Sequence, residues 1–343
     1  MKLFLKKVFR FSRVFVVPIL LFPIIDVFKV FGFQDYYANQ MISTNREMIT
    51  TSTYNFRRKK EEYNSFIFGS SRSQAYKCSD WVNFLNKGAK PFHFDASGEN
   101  LRGLTQKIKY IDEQGDTLLN ALVILDWSLL SSTKKRKGHL FVSMPCMGDN
   151  SYLEYYRAFF LANMNPKFLL AVTDYWIFRE YRDYMGYLIR KSDYDHKVDN
   201  ISCDIWYGFD EEINVDSTNY YTAKIDQGVF YKRTKDTTET ITIFKASQLD
   251  LLQEIKTIFD RHNTNYKIVL SPLYDQKKLD KESLNILNEI FGISNVYDFS
   301  GVNNYTNNIA NYYETSHYRP KVARSILGRI YNEKPTNISA GGF

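Results

Sequence analysis

Short apolar segments that alternate with helical patterns are the feature of this sequence that most limits its fold. Five runs have the length of a buried β-strand, and they cover residues 65–69, 91–95, 121–126, 266–271 and 295–299. Helical patterns lie between most of these runs, over residues 99–113, 248–263 and 279–291. Strands that alternate with helices indicate a parallel sheet covered on both faces. The sequence therefore predicts an α/β fold, a three-layer sandwich around a parallel five-stranded sheet.

One long insertion interrupts this alternation after the third strand. Residues 130–245 begin with helical patterns rich in tyrosine and continue with short alternating runs. We expect either a cap over a functional site or a surface for a partner, and the sequence does not choose between them. The predicted organisation is one domain over residues 65–335 that contains this insertion, followed by a tail over residues 336–343.

The N-terminus has the pattern of an uncleaved membrane anchor, predicted over residues 1–33. Five basic side chains and no acidic one lie in residues 1–13, and residues 14–25 are uncharged. Counted over residues 9–33, the segment is long enough to span a bilayer, and no small-residue cleavage site follows it. The basic tail then stays in the cytoplasm and the rest of the chain lies outside. The alternative is a buried apolar helix. Residues 34–64 are expected to form a polar, helical stalk.

Charge and cysteine content argue against nucleic-acid binding and metal binding. The chain has a net charge of +7, but five of these charges belong to the basic tail, so a net charge of only +2 remains on the other 330 residues. Such a body has no basic stripe to attract phosphates. The three cysteines follow no metal-ligand spacing, and no glycine-rich phosphate loop is present. We therefore expect no nucleic acid, no metal and no cofactor.

Residues able to carry nucleophilic chemistry lie after the predicted strands, where open parallel sheets bind their ligands. Ser71 follows the first strand in Gly69-Ser70-Ser71, while Glu314 and His317 lie three residues apart beyond the last strand. A serine hydroxyl becomes a nucleophile when a base removes its proton, and a carboxylate fixes the tautomer of that base. We predict that Ser71, His317 and Glu314 meet as an acyl-transfer triad, with the pair Glu314 and His317 in a loop or a first helical turn.

Backbone N–H groups near Ser71 are candidates to hold an oxyanion. Ser71 itself stands at the predicted start of a helix, and Gly98 follows the second strand. The alternative for Gly98 is a turn glycine with positive φ. His93, inside the second strand, is expected to be structural. Arg72 is expected either to steer an anionic substrate or to form a salt bridge at the sheet edge.

These motifs resemble blocks I, II and V of the SGNH (GDSL-type) hydrolase superfamily. The corresponding residues are Gly69-Ser70-Ser71, Gly98 and the acidic-x-x-His pattern that ends at His317. The similarity is closest to its membrane-anchored, DltD-like members and to those associated with exopolysaccharide O-acetylation. It covers about residues 65–330 apart from the insertion. It implies a flavodoxin-like SGNH sandwich with Ser71 as nucleophile and oxyanion donor, His317 as base, Glu314 as its carboxylate partner and Gly98 as a second oxyanion donor.

Three positions depart from the family pattern. Ser70 replaces the usual Asp of the first block, as it does in the DltD-like members, and Glu314 stands where Asp is usual. The Gly-x-Asn-Asp of block III is absent, because residues 126–128 read Asp-Trp-Ser. A missing oxyanion donor lowers the rate about 100-fold, unless Asn100, Ser128 or a backbone N–H group substitutes for it.

The resemblance implies an extracytoplasmic, membrane-anchored O-acyltransferase. Ser71 would take an acyl group, expected to be acetyl, and pass it to a cell-surface polysaccharide or glycolipid, with a membrane-bound O-acyltransferase (MBOAT) as partner. Two alternatives stay open. One is a carbohydrate esterase or lipase that uses the same triad with water as the acceptor. The other, favoured by the missing asparagine, is a non-catalytic SGNH-fold partner of the acyltransferase.

Overall fold

The computed structural model of the protein describes residues 45–186, 197–233 and 244–332, the short stretch 26–31, and isolated positions between these ranges and near the N-terminus. Most of the predicted anchor over residues 1–33, and the predicted tail over residues 336–343, lie outside the described residues. Among the residues that are described, no helix has both the length and the apolar character needed to cross a membrane.

A five-stranded parallel sheet forms the centre of the fold. Its strands are β1 (Ser65–Gly69), β2 (Pro91–Asp95), β3 (Asn120–Leu125), β4 (Asn265–Leu270) and β5 (Val296–Asp298). Their spatial order is β2-β1-β3-β4-β5, which is the order of flavodoxin-like sheets. The prediction of an α/β fold with a parallel five-stranded sheet is confirmed. The order reverses between β1 and β3, and ligands of such sheets bind where it does so.

The central strands are buried along their whole length because their sequences are almost continuously apolar. Every residue of β1 and β3 is buried. Alternate residues serve opposite faces, so that Phe66 and Phe68 pack on one side and Ile67 packs on the other. Two hydrophobic cores result, one on each face of the sheet.

Helices supply the two outer layers. They are α1 (Arg46–Glu61), α2 (Cys78–Trp81), α3 (Leu101–Glu113), α4 (Trp127–Ser131), α5 (Tyr152–Asn163), α6 (Pro166–Phe178), α7 (Phe209–Val215), α8 (Ser217–Asp226), α9 (Ala246–Arg261), α10 (Lys281–Phe291) and α11 (Pro320–Asn332). Shorter 3₁₀ helices cover Ser71–Ala75, Val82–Phe84, Pro145–Met147, Asp183–Met185 and Ile309–Asn311. Helices α3, α9 and α10 pack on one face of the sheet, whereas α11 packs on the other.

Helix α1 corrects the expectation of a separate stalk over residues 34–64. The helix is present, but Met48 and Tyr54 on it are fully buried. The ring of Tyr54 lies 5.1 Å from that of Phe94 on β2, between ring centroids. Thr50 on the same helix donates a hydrogen bond of 2.9 Å to the backbone carbonyl of Asp95. The polar composition of this helix conceals a buried face that belongs to the core of the domain.

The insertion packs against the domain at several places. Residues 197–198 and 205–206 form a small antiparallel ladder, and the carbonyl of Ser202 between them accepts a 2.8 Å hydrogen bond from the backbone N–H of His93 on β2. This contact covers the edge of the sheet. Further along, Tyr220 on α8 donates its hydroxyl to the carbonyl of Tyr313 at 2.9 Å. A short parallel ladder also joins residues 239–240 to 278–279.

Candidate active site

The segment after β5 forms a β-hairpin, in place of the loop or first helical turn that the sequence predicted. Strands β6 (Tyr312–Glu314) and β7 (His317–Tyr318) are antiparallel, with Glu314 opposite His317. A two-residue turn joins them. Residues that face each other directly across such a pair are close neighbours, so the hairpin itself holds the carboxylate beside the imidazole.

A sharp turn after β1 presents Ser71. The φ of Gly69 is +155°, and a Cβ atom at this position would lie 2.8 Å from the carbonyl oxygen of Ile124 on the neighbouring strand. Only glycine allows this close approach of two backbones. Ser70 then caps the 3₁₀ helix that begins at Ser71, because its hydroxyl oxygen accepts a hydrogen bond of 3.4 Å from the backbone N–H of Arg72.

The structure brings Ser71, His317 and Glu314 together, although 246 positions separate Ser71 from His317. His317 Nε2 lies 2.8 Å from Ser71 Oγ, and His317 Nδ1 contacts Glu314 Oε1. An ionised carboxylate only accepts hydrogen bonds, so the proton of neutral His317 lies on Nδ1 and Nε2 is free to accept from the serine hydroxyl. The second Glu314 oxygen accepts a hydrogen bond of 2.7 Å from the Ser316 backbone N–H.

Glu314 is held in its charged form by its neighbours. Partial burial acts to raise the pKa of this carboxyl group, but the hydrogen bond and charge of His317, the Ser316 N–H group and the charge of Arg72 together outweigh burial and leave the pKa below its usual value. A carboxylate that stays ionised can fix the tautomer of His317 and stabilise the imidazolium that forms when His317 takes a proton.

Arg72 forms the salt bridge at the sheet edge that was one of its two expected roles. Its Nη1 atom lies 2.7 Å from Asp126 Oδ1, at the end of β3, and donates to Ser128 Oγ at 2.8 Å. Its Nε atom donates to the carbonyl of Ser316 at 3.3 Å. The guanidinium group thus joins the segments after β1 and β3 to the turn between β6 and β7. The contact with the Glu314–His317 turn has no signal in the sequence.

Residues 126–128, at the position of block III, stabilise the loop after β3. Asp126 caps α4, since its Oδ1 atom accepts from the Ser128 and Leu129 N–H groups at 2.9 and 3.0 Å. The Ser128 hydroxyl also donates to Asp126 Oδ1. With Arg72 on the same oxygen, these side chains hold the loop after β3 in place.

Gly98 and Asn100 occupy the turn that leads from β2 into α3. Gly98 has a φ of +57°, as its turn-glycine alternative requires. Asn100 caps α3 by accepting a hydrogen bond of 3.0 Å from the Gly103 N–H group, and its amide donates to the Lys134 carbonyl at 2.7 Å. Both polar ends of the Asn100 side chain are therefore engaged in anchoring loops, which gives no support to the oxyanion role expected of it.

A second Ser–His–Asp arrangement lies buried behind the turn that presents Ser71. His93 Nε2 is 3.0 Å from Ser73 Oγ and His93 Nδ1 is 3.1 Å from Asp204 Oδ1. All three residues are at most 1% exposed, so no substrate reaches them. Ser73 Oγ also lies 2.8 Å from the Ser70 carbonyl. His93 is structural, as predicted, but the partner contributed by the insertion, Asp204, carried no signal in the sequence.

The site itself is open to solvent. The side chains of His317 and Glu314 are 39% and 32% exposed, so a substrate can approach Ser71 from outside. Among the described residues, no group of three or more His, Cys, Asp or Glu side chains is arranged to hold a metal ion. No family model matches the chain, and no curated protein matches it at a significant level.

Proposed function

We propose that the protein is a serine-dependent O-acyltransferase of SGNH type. The observation that carries this proposal is the contact of Ser71 Oγ with His317 Nε2 at 2.8 Å, with Glu314 on the other imidazole nitrogen. It is supported by the position of the site at the carboxyl ends of the strands, where sheets of this order bind ligands.

The reaction follows from the proton positions. His317 takes the hydroxyl proton as Ser71 Oγ attacks the carbonyl carbon of the acyl donor, and the imidazolium formed is stabilised by Glu314. The tetrahedral intermediate then expels the donor's leaving group, which receives the proton from His317. An acceptor hydroxyl gives its proton to His317 as it attacks the acyl-enzyme, and Ser71 is released with its proton restored.

The acceptor we propose is a hydroxyl group of a cell-surface polysaccharide or glycolipid, and the acyl group comes from a membrane donor, with a membrane-bound O-acyltransferase as the partner that passes it across the membrane. Both rest on the resemblance of Gly69-Ser70-Ser71 and the Glu314–His317 pair to the SGNH blocks, and on the anchor pattern of residues 1–33. In this arrangement the site lies on the outer side of the membrane.

A carbohydrate esterase is the second candidate, and the exposure of the site favours it. Because 39% of the His317 side chain is accessible, water can reach the position from which an acceptor would attack. A transferase has to bind its acceptor more effectively than water in the same place. The two functions share the acyl-enzyme and differ only in the second step.

The test measures the release of p-nitrophenol from p-nitrophenyl acetate by the purified full-length protein, with and without oligosaccharide acceptors. Acceptor-stimulated turnover with acetylated oligosaccharide as the product is expected of the transferase, whereas turnover indifferent to the acceptor indicates an esterase. Ser71→Ala is the essential variant, with Ser73→Ala as a control for loss of a neighbouring buried hydroxyl. Equal activity in wild type and Ser71→Ala would refute the mechanism. If no Ser71-dependent reaction occurs, the non-catalytic alternative is favoured.

A further inference from the structure

Helices α5 and α6 of the insertion form a hairpin whose outer surface is apolar. Eight large apolar side chains between residues 152 and 178 are exposed, with accessible fractions from 41% to 78%: Tyr152, Leu153, Leu161, Leu169, Leu170, Trp176, Ile177 and Phe178. Elsewhere in the described chain, exposed side chains of this kind are scattered singly. A concentrated apolar patch of this kind marks a surface that contacts something other than water.

Four of the five exposed apolar residues of α6 lie along one side of the helix. Leu169 and Trp176 are seven residues apart, as are Leu170 and Ile177, and this spacing places them on a common face. The opposite face, with Phe168 and its neighbours Ala171 and Val172, is buried in the core. Because α6 already packs on the core through its buried face, the folded domain does not need the exposed side chains of α6 to be apolar.

The end of the N-terminal apolar segment packs against this same hairpin. The Phe22 ring lies 5.6 Å from that of Phe160, and the Phe31 ring is stacked on Tyr156 at 4.8 Å, both measured between centroids. Phe28 is stacked on Phe168 at 4.9 Å. Thus the hairpin contacts residues 22–31, which form the C-terminal part of the predicted anchor segment. Ile24, in the same N-terminal stretch, is itself 76% exposed.

We propose that the α5–α6 hairpin rests on the lipid bilayer and inserts its exposed apolar face into the interface beside the N-terminal anchor. The position rests on the membrane placement proposed above but not on the chemistry of Ser71. A chain segment with basic residues followed by an uncharged run is directed to a bilayer. The hairpin that meets the end of that run therefore lies near the membrane surface, where apolar helix faces bind.

The hairpin carries almost no net charge, so we expect it to bind the bilayer through its apolar side chains and not through attraction to charged headgroups. Residues 152–182 contain four basic and three acidic side chains, so attraction to anionic lipid is weak. Leu, Ile and Trp side chains dominate the exposed face, and their transfer from water into the interface drives binding whatever the headgroup charge. We expect the contact to form on phosphatidylcholine vesicles as well as on anionic ones.

The test uses Trp176 as a reporter in the full-length protein reconstituted into phosphatidylcholine vesicles. The chain has four tryptophans, and the difference in emission between wild type and Trp176→Phe isolates this one. Vesicles whose lipids carry bromine atoms on the acyl chains quench tryptophans that enter the bilayer. We expect most of the Trp176 emission to be lost. The emission of Trp127, obtained in the same way from the difference between wild type and Trp127→Phe, should be unaffected.

A second pair of variants tests the face itself. Leu170→Glu/Ile177→Glu is expected to restore the Trp176 emission, whereas Ile293→Glu/Val302→Glu, which makes the same change at exposed positions outside the hairpin, leaves quenching intact. Ser71→Ala should be quenched like wild type, because the contact does not depend on catalysis. Circular dichroism confirms that each variant folds.

Flotation of the vesicles separates this proposal from the membrane placement. Protein that floats with the vesicles and shows no quenching of Trp176 retains its anchor and overturns the hairpin contact. Protein that neither floats nor is quenched overturns both. A further control measures quenching of Trp176 by aqueous iodide in the absence of lipid. If iodide does not quench Trp176, then residues 8–21 or another protein covers the face, and this result also overturns the proposal.

Discussion

The guanidinium group of Arg72 donates a hydrogen bond from Nε to the carbonyl of Ser316, 3.3 Å away. Arg72 follows the candidate nucleophile in sequence, and Ser316 precedes the candidate base His317. The same guanidinium group contacts Asp126 and Ser128 at the end of β3. One side chain thus connects the three loops that meet at the site, which makes Arg72 a positioning residue in the proposed mechanism.

Replacing Arg72 with Gln is expected to lower kcat about 10- to 100-fold with a smaller change in KM, because a shift of about 1 Å between reacting groups costs this much. It also removes a positive charge that helps to hold the pKa of Glu314 down, so the acid limb of the kcat profile should move to higher pH. Steady-state kinetics over a pH series measure both effects. Arg324→Gln, on an exposed helix position, is the control, and an unshifted profile in Arg72→Gln would count against the positioning role.

The carboxylate of Glu314 is predicted to be required in its ionised form. Glu314→Gln is expected to lower kcat about 10³- to 10⁴-fold, because an amide can donate to His317 Nδ1 and stabilise the wrong tautomer. Glu314→Asp keeps the negative charge, but its side chain is shorter by one methylene and holds the carboxylate farther from His317. We expect a loss of kcat between those of wild type and Glu314→Gln. The measurement is Ser71-dependent ester turnover. Activity in Glu314→Gln within a few-fold of wild type would exclude a triad that includes Glu314.

Protonation gives this site a direction of pH dependence. Glu314 holds the proton of His317 on Nδ1 only while the carboxyl group is ionised, and its surroundings keep the pKa of Glu314 below its usual value. The stabilising contribution of the Glu314 carboxylate is present above the pKa of Glu314 in the unfolded chain and is lost as pH falls through the lower pKa of the folded state. We therefore expect this increment of stability, and the help that Glu314 gives to turnover, to be lost in the acidic range below the ordinary pKa of a glutamate. Parallel pH titrations of turnover and denaturant unfolding for wild type and Glu314→Gln measure both effects.

Gly69 is predicted to be intolerant of any side chain. Gly69→Ala is expected to destabilise the fold by about 1–3 kcal/mol, because its Cβ atom would lie 2.8 Å from the Ile124 carbonyl oxygen and neither strand can yield easily. Gly208→Ala, where no atom lies within 4 Å of the new Cβ, is the matched control. Urea unfolding of both variants measures the difference. Equal stability of Gly69→Ala and wild type would contradict the close backbone contact.

Lys77 should make the stability of the protein depend on pH in the alkaline range. Burial lowers the pKa of Lys77 to about 8, against the attraction of Asp204, and the Lys77 ammonium group donates to the Ile205 carbonyl at 2.5 Å. The unfolded chain keeps the Lys77 proton up to a higher pH than the folded chain, so the contribution of Lys77 to stability rises with pH above about 8.

The increase from Lys77 amounts to about 2 kcal/mol between pH 7.5 and 9.5 for a pKa difference of this size. Lys77→Met should remove this increase, so the unfolding free energy of wild type should rise by this amount relative to that of the variant along the series. Lys87→Met, at an exposed position, should leave the pH dependence unchanged. Parallel curves for wild type and Lys77→Met would show that Lys77 does not lose its proton in this range.

Much of the fold follows from local sequence patterns. The runs over residues 65–69 and 91–95 form strands with the predicted bounds, and the other three runs differ by one or two residues at their ends. A strand that is buried on both faces needs a continuous apolar run, and this requirement is visible without knowing what the strand contacts.

Other features depended on contacts between distant parts of the chain. The buried face of α1 packs on a strand far away in sequence, and Asp204 reaches His93 across 111 positions. Glu314 and His317 are close in sequence, but their pairing depends on a hairpin that forms only in the folded domain. The roles of Asn100 and Arg72 could not be read from the sequence either. A polar side chain can cap a helix, form an ion pair or stabilise an oxyanion, and the residue type does not say which of these it does. The sequence by itself determined which segments form the strands of the sheet, and that the candidate serine follows the first strand and the candidate histidine the last. Only the tertiary structure decided which polar groups meet, because hydrogen bonds and ion pairs are set by three-dimensional distance, whereas hydrophobic periodicity is written along the chain.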